Sequence, residues 1–191
     1  MIKILFLAIF VILVLVLFII KPELISDNTK RLQRYAGLKT EDIDNIPDEE
    51  LETAVTEWLF AKLDNKGTTE VSIMKALPGP CRYIYAIYVV TGEIYAGGFA
   101  TCFSDMASYI LSSAVEGFLA VGAENHARTL EAACGIAGKT IKTGGRKALE
   151  DLKENAELSE LAKMFMENEE AVYLPDLVIK YIRENKEYFG D

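Results

Sequence analysis

Residues 133–140, Ala-Cys-Gly-Ile-Ala-Gly-Lys-Thr, come nearest to a chemical signature in this sequence. They almost match the phosphate-binding loop G-x-x-x-x-G-K-T, with Ala133 in place of the first glycine. Such a loop follows a strand and opens a helix, so that its N–H groups can cradle phosphates. Here a helical pattern precedes the segment, and no apolar strand ending in Asp supplies a magnesium ligand. The better reading is a helix end carrying a basic patch, Lys139, Lys142, Arg146 and Lys147. That patch can face the molecule's own acidic helices or a second copy, which leaves a homodimer open.

The remaining candidates for chemistry are sparse. His126 is the single histidine, and Cys81, Cys102 and Cys134 form an odd, widely spaced set with no C-x-x-C. Metal sites and Cys–His or Ser–His catalysis need more imidazole, or a thiol with a matching orienter. Eight residues separate His126 from Cys134, about 12 Å of helix rise, too far for a hydrogen bond. Neither a metal nor a cofactor is expected. Glu93 beside Gly97-Gly98 has the type of a lone general base, but a carboxylate bonded to helix-terminal N–H groups is the better reading. The Tyr83, Tyr85, Tyr88 and Tyr95 set reads as core more readily than as a ligand box. No enzyme is expected.

Charge says more. The formal net charge is −9, and residues 1–21 hold Lys3 and Lys21 and no acid, so residues 22–191 carry −11. A domain this acidic is repelled by phosphate backbones and anionic lipid, which argues against direct nucleic-acid binding and points to a basic protein surface as partner. Glu41, Asp42, Asp44, Asp48, Glu49, Glu50, Glu52 and Glu57 lie between Lys39 and Lys62 with no base among them. They are the candidate partner surface. A second group runs Glu150, Asp151, Glu154, Glu157, Glu160, Glu167, Glu169 and Glu170. A solvated face that keeps the protein soluble is the plainer reading of both.

The elements that must carry these residues begin with Ile4–Ile20, 17 residues without a polar side chain. As a helix they are roughly 25 Å long, at the short end of what spans a bilayer core. Lys3 and Lys21 can reach the two interfaces. A cleaved signal needs small residues after the apolar run, and Leu17-Phe18-Ile19-Ile20-Lys21-Pro22 offers none. A retained single-pass anchor in the plasma (inner) membrane is therefore expected. Lys21, Lys30, Arg31 and Arg34 follow the span, which favours a cytoplasmic domain, as the cysteine usage does.

Residues 22–47 read as a tether and lead-in. A helix is predicted from Asp48, after Pro47, with Leu51, Val55, Trp58, Leu59 and Leu63 at three- and four-residue spacing and Asn65-Lys66-Gly67 as its stop. Val71–Leu77 predicts a short helix, and Pro78-Gly79-Pro80 a break. Tyr83, Ile84, Ile87, Tyr88 and Thr91 form the expected buried stripe of the next helix, with Tyr95 near its end and Gly97-Gly98 closing it. Further helices are predicted over Phe99–Tyr109, around Val115–Val121 up to Gly122, over Glu124–Ile136, over Arg146–Asn168 in one or two pieces, and through Leu174–Ile182 with Phe189 trailing. No segment sustains a strand alternation. The expected fold is all-α, a multi-helix domain over 48–189 behind a membrane helix over 1–21.

Four segments carry a resemblance. Leu77–Tyr88 is similar to the entry helix of the DNA mimic protein 19-like family, small acidic bacterial proteins. Glu93, Ala96, Gly97, Gly98, Phe99 and Phe103 resemble its central motif. Ala120–Glu124 resembles its helix-joining turn, and Leu177–Asn185 its final helix. Ala96 stands where the family usually has Asn, and Thr101 where it usually has Gln. The resemblance covers roughly residues 48–189 and implies carboxylates presented where DNA presents phosphates, occupying a DNA-binding protein. A membrane-held immunity-type or protective protein, working through a groove from Glu93 to Phe103, is the alternative.

Overall fold

The computed structural model describes residues 34–63, 69–144 and 148–191. Among these there is no strand, so the all-α expectation holds. Eight α-helices are described: α1 Asp48–Leu63, α2 Glu70–Ala76, α3 Gly79–Asp105, α4 Ser108–Val121, α5 Glu124–Gly144, α6 Ala148–Lys153, α7 Ala156–Ala171 and α8 Leu174–Glu184. The expected membrane span over residues 4–20 and the Asn65-Lys66-Gly67 stop lie outside the described residues.

Punctuation residues set most boundaries. Asp48, Glu49 and Glu50 fill the first turn of α1, where the helix dipole favours acids, and Lys62 lies in its last turn. The Thr69 hydroxyl caps α2 by accepting the Ser72 N–H. Pro78 caps α3, and Pro80 sits in its first turn, where a missing N–H costs nothing. Gly122, at φ +87°, ends α4: its N–H bonds to the Leu119 carbonyl while the Ala123 N–H reaches Phe118. That pair of bonds is a Schellman cap, and the left-handed residue it needs is the glycine.

Three features differ from the sequence expectation. Gly97-Gly98 kinks α3 without ending it; only Gly98 leaves helical geometry (φ 71°, ψ −175°). The break that follows falls at Met106-Ala107, with Ala107 extended, so that Tyr109 lies in α4 and not at the end of a helix from Phe99. Neither residue is a helix breaker. The buried arc of α3 is also rotated from the expected stripe. Cys81, Ile84, Tyr85, Ile87, Val90 and Ile94 are buried, whereas Tyr88 and Tyr95 are nearly half exposed. α4 approaches α3 closely. At Gly117 an added Cβ would lie 3.1 Å from Tyr83 Cβ and 3.2 Å from Ile87, so α4 seats against the Tyr83–Ile87 side of α3. By length and composition α3 could cross a membrane; its buried arc makes it the central helix of this domain.

The core joins α3, α4, α5 and α7 through rings. Phe165 of α7 packs edge-on against Phe99, Phe118 and His126, with centroids 5.9, 5.6 and 4.8 Å away. Edge-to-face contacts at these distances add to the hydrophobic gain of burying the rings.

The described part of the lead-in contributes Leu38, Ile43 and Ile46 to the core. The C-terminal segment clasps it. The Asp191 N–H donates to the Leu38 carbonyl at 2.9 Å, and the Thr40 hydroxyl to the Phe189 carbonyl at 2.9 Å. Gly190 (φ +96°) lies so close that a Cβ would sit 2.3 Å from the Thr40 nitrogen. Arg183 donates to the Ile43 carbonyl, to the Ile46 carbonyl at 2.6 Å and to Asp48 at 2.6 Å.

Candidate functional site: two acidic surfaces and an acidic, aromatic cleft

The N-terminal acids are mostly engaged within the molecule. Asp48 pairs with Arg183 at 2.6 Å, Asp44 with Lys186, Glu50 with Arg34 at 2.9 Å and Glu41 with Lys39 at 3.6 Å. Glu50 also accepts a hydrogen bond from the Tyr35 hydroxyl at 2.6 Å. Burial, then that bond, raises the Tyr35 pKa. Asp42 accepts the Lys39 N–H. Glu49 is exposed, and Glu52 lines the cleft described below. Glu57 corrects the expected surface. It is 7% exposed, because Ala54–Leu59 of α1 is buried on successive positions where α3 and α8 pack against it. The eight acids of the sequence thus do not make one free carboxylate array.

The second group is different. Glu150, Asp151, Glu154, Glu157 and Glu160, on α6, α7 and the turn between them, are all exposed. None has an ion-pair partner among the described residues. The Asn155 side chain caps α7 by accepting the Leu158 N–H at 3.0 Å, which fixes where α7 starts. Glu154, Glu157 and Glu160 then recur at three-residue steps. Further along α7, Glu167 pairs with Lys163 at 3.6 Å.

The six motif residues separate. Phe99 and Phe103 are core, their rings stacked at 5.8 Å. Ala96 and Gly97 are exposed, and Gly98 supplies the kink. Thr101 donates to the Gly97 carbonyl at 2.9 Å, a local helix bond. Ala96 offers no polar side-chain atom where the family usually has Asn. Glu93 has no hydrogen-bond or ion-pair partner among the described residues, so it is not the N-terminal carboxylate that its sequence position suggests. It lines an open cleft of about 490 Å³ with Tyr88, Tyr95, Thr91, Glu52 and Glu70. Phe103 lines a separate cleft between α4 and α5 with Leu119 and Cys134, so Glu93 and Phe103 do not bound one groove.

The other candidates resolve as structure. Residues 133–140 lie inside α5, whose backbone N–H groups are committed to the helix, and they form no loop. His126 is 1% exposed, stacks on Phe118 at 5.6 Å, and burial lowers its pKa. Burial pushes the Cys81 thiol up to about 12 and Cys134 up to about 11, which suppresses the reactive thiolate. No cluster of metal-ligating side chains occurs among the described residues.

The fold and its surface define an all-helical protein whose exposed ionisable groups are dominated by carboxylates. Residues 75–185, more than half of the chain, match the family model described as DMP19-like protein. The chain belongs to the DMP19-like family. The match contains all four segments that carry the resemblance, as well as Glu150–Glu160, and it leaves out α1 and the N-terminal acids. No curated protein and no solved structure matches the chain.

Proposed function

We propose that this is a non-enzymatic binding protein that engages a basic protein surface, a DNA-binding regulator, by presenting carboxylates in place of DNA phosphates. The observation that carries the reading is the exposed set Glu150, Asp151, Glu154, Glu157 and Glu160, which has no ion-pair partner among the described residues. Carboxylates three or four residues apart on a helix lie about 5–6 Å from each other at Cβ. A soluble-domain charge of −11 and family membership support the same reading. Residues 4–20 would hold the protein in the inner membrane with its helical domain in the cytoplasm.

The test is capture by the full chain in a non-ionic detergent. The captured protein should bind DNA, and both duplex DNA and high salt should release it, because both compete for the same charges. Replacing the five acids by Gln or Asn should abolish capture, whereas replacing Glu41 and Glu49 should leave most of it. Capture that survives the five substitutions would end this reading. A reporter fused after Asp191 and active only in the cytoplasm tests the topology; activity solely from an external reporter excludes a DNA-binding partner.

A further inference from the structure

Where α5 begins, its first turn and the end of α7 line a hollow of about 180 Å³. Ala123 is the last residue before the helix. Its carbonyl accepts the Ala127 N–H at 3.1 Å, and its own N–H is spent on Phe118. The next three N–H groups, of Glu124, Asn125 and His126, have no acceptor inside the helix. Alanine has no side chain to cap them, and Asn125 turns its oxygen to Arg128. Uncommitted N–H groups at the positive end of a 21-residue helix suit a carboxylate.

His126 points to the same occupant. It is 1% exposed, yet it forms part of the wall of the hollow. Nε2 is sealed among the core rings and has no hydrogen-bond partner among the described residues. Burial keeps the ring neutral, with a single N–H. A buried donor without an acceptor is costly, so the proton belongs on Nδ1 and not on Nε2. Since Nε2 is sealed, Nδ1 is the nitrogen left to serve the hollow, as one more donor.

A carboxylate stands there too. Glu124 is exposed, lines the hollow and has no ion-pair partner among the described residues. A plain anion would meet that charge, and a plain cation would meet the helix end. Asn168 of α7 donates to the Thr129 hydroxyl at 3.3 Å, which leaves its amide oxygen as an acceptor.

We propose that this hollow binds a small zwitterion, an α-amino acid of the size of glycine or alanine. Its carboxylate takes the first-turn N–H groups and the His126 Nδ1–H. Its ammonium takes Glu124 and the Asn168 oxygen, and Val172 offers its side chain an apolar contact. The proposal does not rest on the Glu150–Glu160 surface.

Isothermal titration of the full chain in detergent with alanine, acetate and methylamine tests it. Alanine should bind at least tenfold more tightly than either ion. Glu124→Gln should weaken alanine at least tenfold and leave acetate no weaker. Asn125→Pro, which removes one N–H group, should weaken alanine and acetate together with the circular dichroism unchanged. The first turn tolerates it, since α3 and α8 already carry Pro80 and Pro175 as their second residue. His126 is the sole histidine, so a nitrogen NMR spectrum reads its tautomer directly. The free protein should show Nδ1–H, and alanine should shift that signal. Acetate binding as tightly as alanine would overturn the proposal in favour of a plain anion site. An Nε2–H tautomer, wild-type alanine binding by Glu124→Gln, or no alanine binding at millimolar concentration would each overturn it as well.

Discussion

The two acidic regions of this molecule look alike as sequence and behave as opposites in the fold. Asp44, Asp48 and Glu50 meet Lys186, Arg183 and Arg34, and Glu57 turns inward. Glu150, Asp151, Glu154, Glu157 and Glu160 are exposed, with no ion-pair partner among the described residues. The first region spends its charge on holding the lead-in to the C-terminus, whereas the second leaves its charge for whatever approaches. Counting acids along a chain measures neither, because two of the neutralising cations come from 135 and 142 residues away.

The comparison breaks most readily at Arg183. Its guanidinium serves two backbone carbonyls and Asp48 at once and is only 27% exposed at the side chain. Arg183→Ala should lower the unfolding free energy by about 2–3 kcal/mol in urea, since charge-assisted bonds to partly buried acceptors are lost together. The same variant should speed alkylation of Cys81. That thiol donates to the Tyr188 carbonyl at 3.0 Å and stays protonated while the clasp is shut.

Acid sharpens the comparison once His126 is accounted for. Burial depresses its folded pKa below the unfolded value of about 6.5. Its contribution is therefore present above pH about 6.5 and is lost as pH falls toward the folded pKa, because the unfolded chain binds the proton first. Thermal unfolding should show the midpoint dropping as pH falls below about 6.5. His126→Leu should flatten that part of the curve.

The smallest effect lies in the second region. Glu157→Gln and Glu160→Gln should each change stability by less than about 0.5 kcal/mol, as expected for exposed charges without partners. A loss above about 1 kcal/mol in urea would mean that these acids hold the fold together after all.

Much of the helical order was legible because Pro and Gly punctuate it. Pro78-Gly79-Pro80 and Gly122 mark ends that local backbone chemistry dictates. The Met106-Ala107 break was not legible, since neither residue resists a helix and the turn is imposed by α4 packing back on α3. Tyr88 and Tyr95 lie nearly half exposed, where spacing alone placed them inside. Glu93 illustrates the limit for the site. Its neighbours in sequence suggested a cap, and only the arrival of α1 and α2 surrounds it with Glu52 and Glu70. Family membership was readable from the four motif segments, yet the motif's phenylalanines proved to be core.

The Gly190 clasp also has a mechanical meaning. Because Asp191 touches Leu38, both ends of the described domain meet at one point, and the body hangs from it like a pendant. A pull arriving along residues 34–38 is shared at once between α1 and, through Arg183 and the Leu38–Asp191 bond, α8. The strap would slip first. α6 and α7, which carry Glu150, Asp151, Glu157 and Glu160, lie off this path, since neither supplies a residue to the clasp.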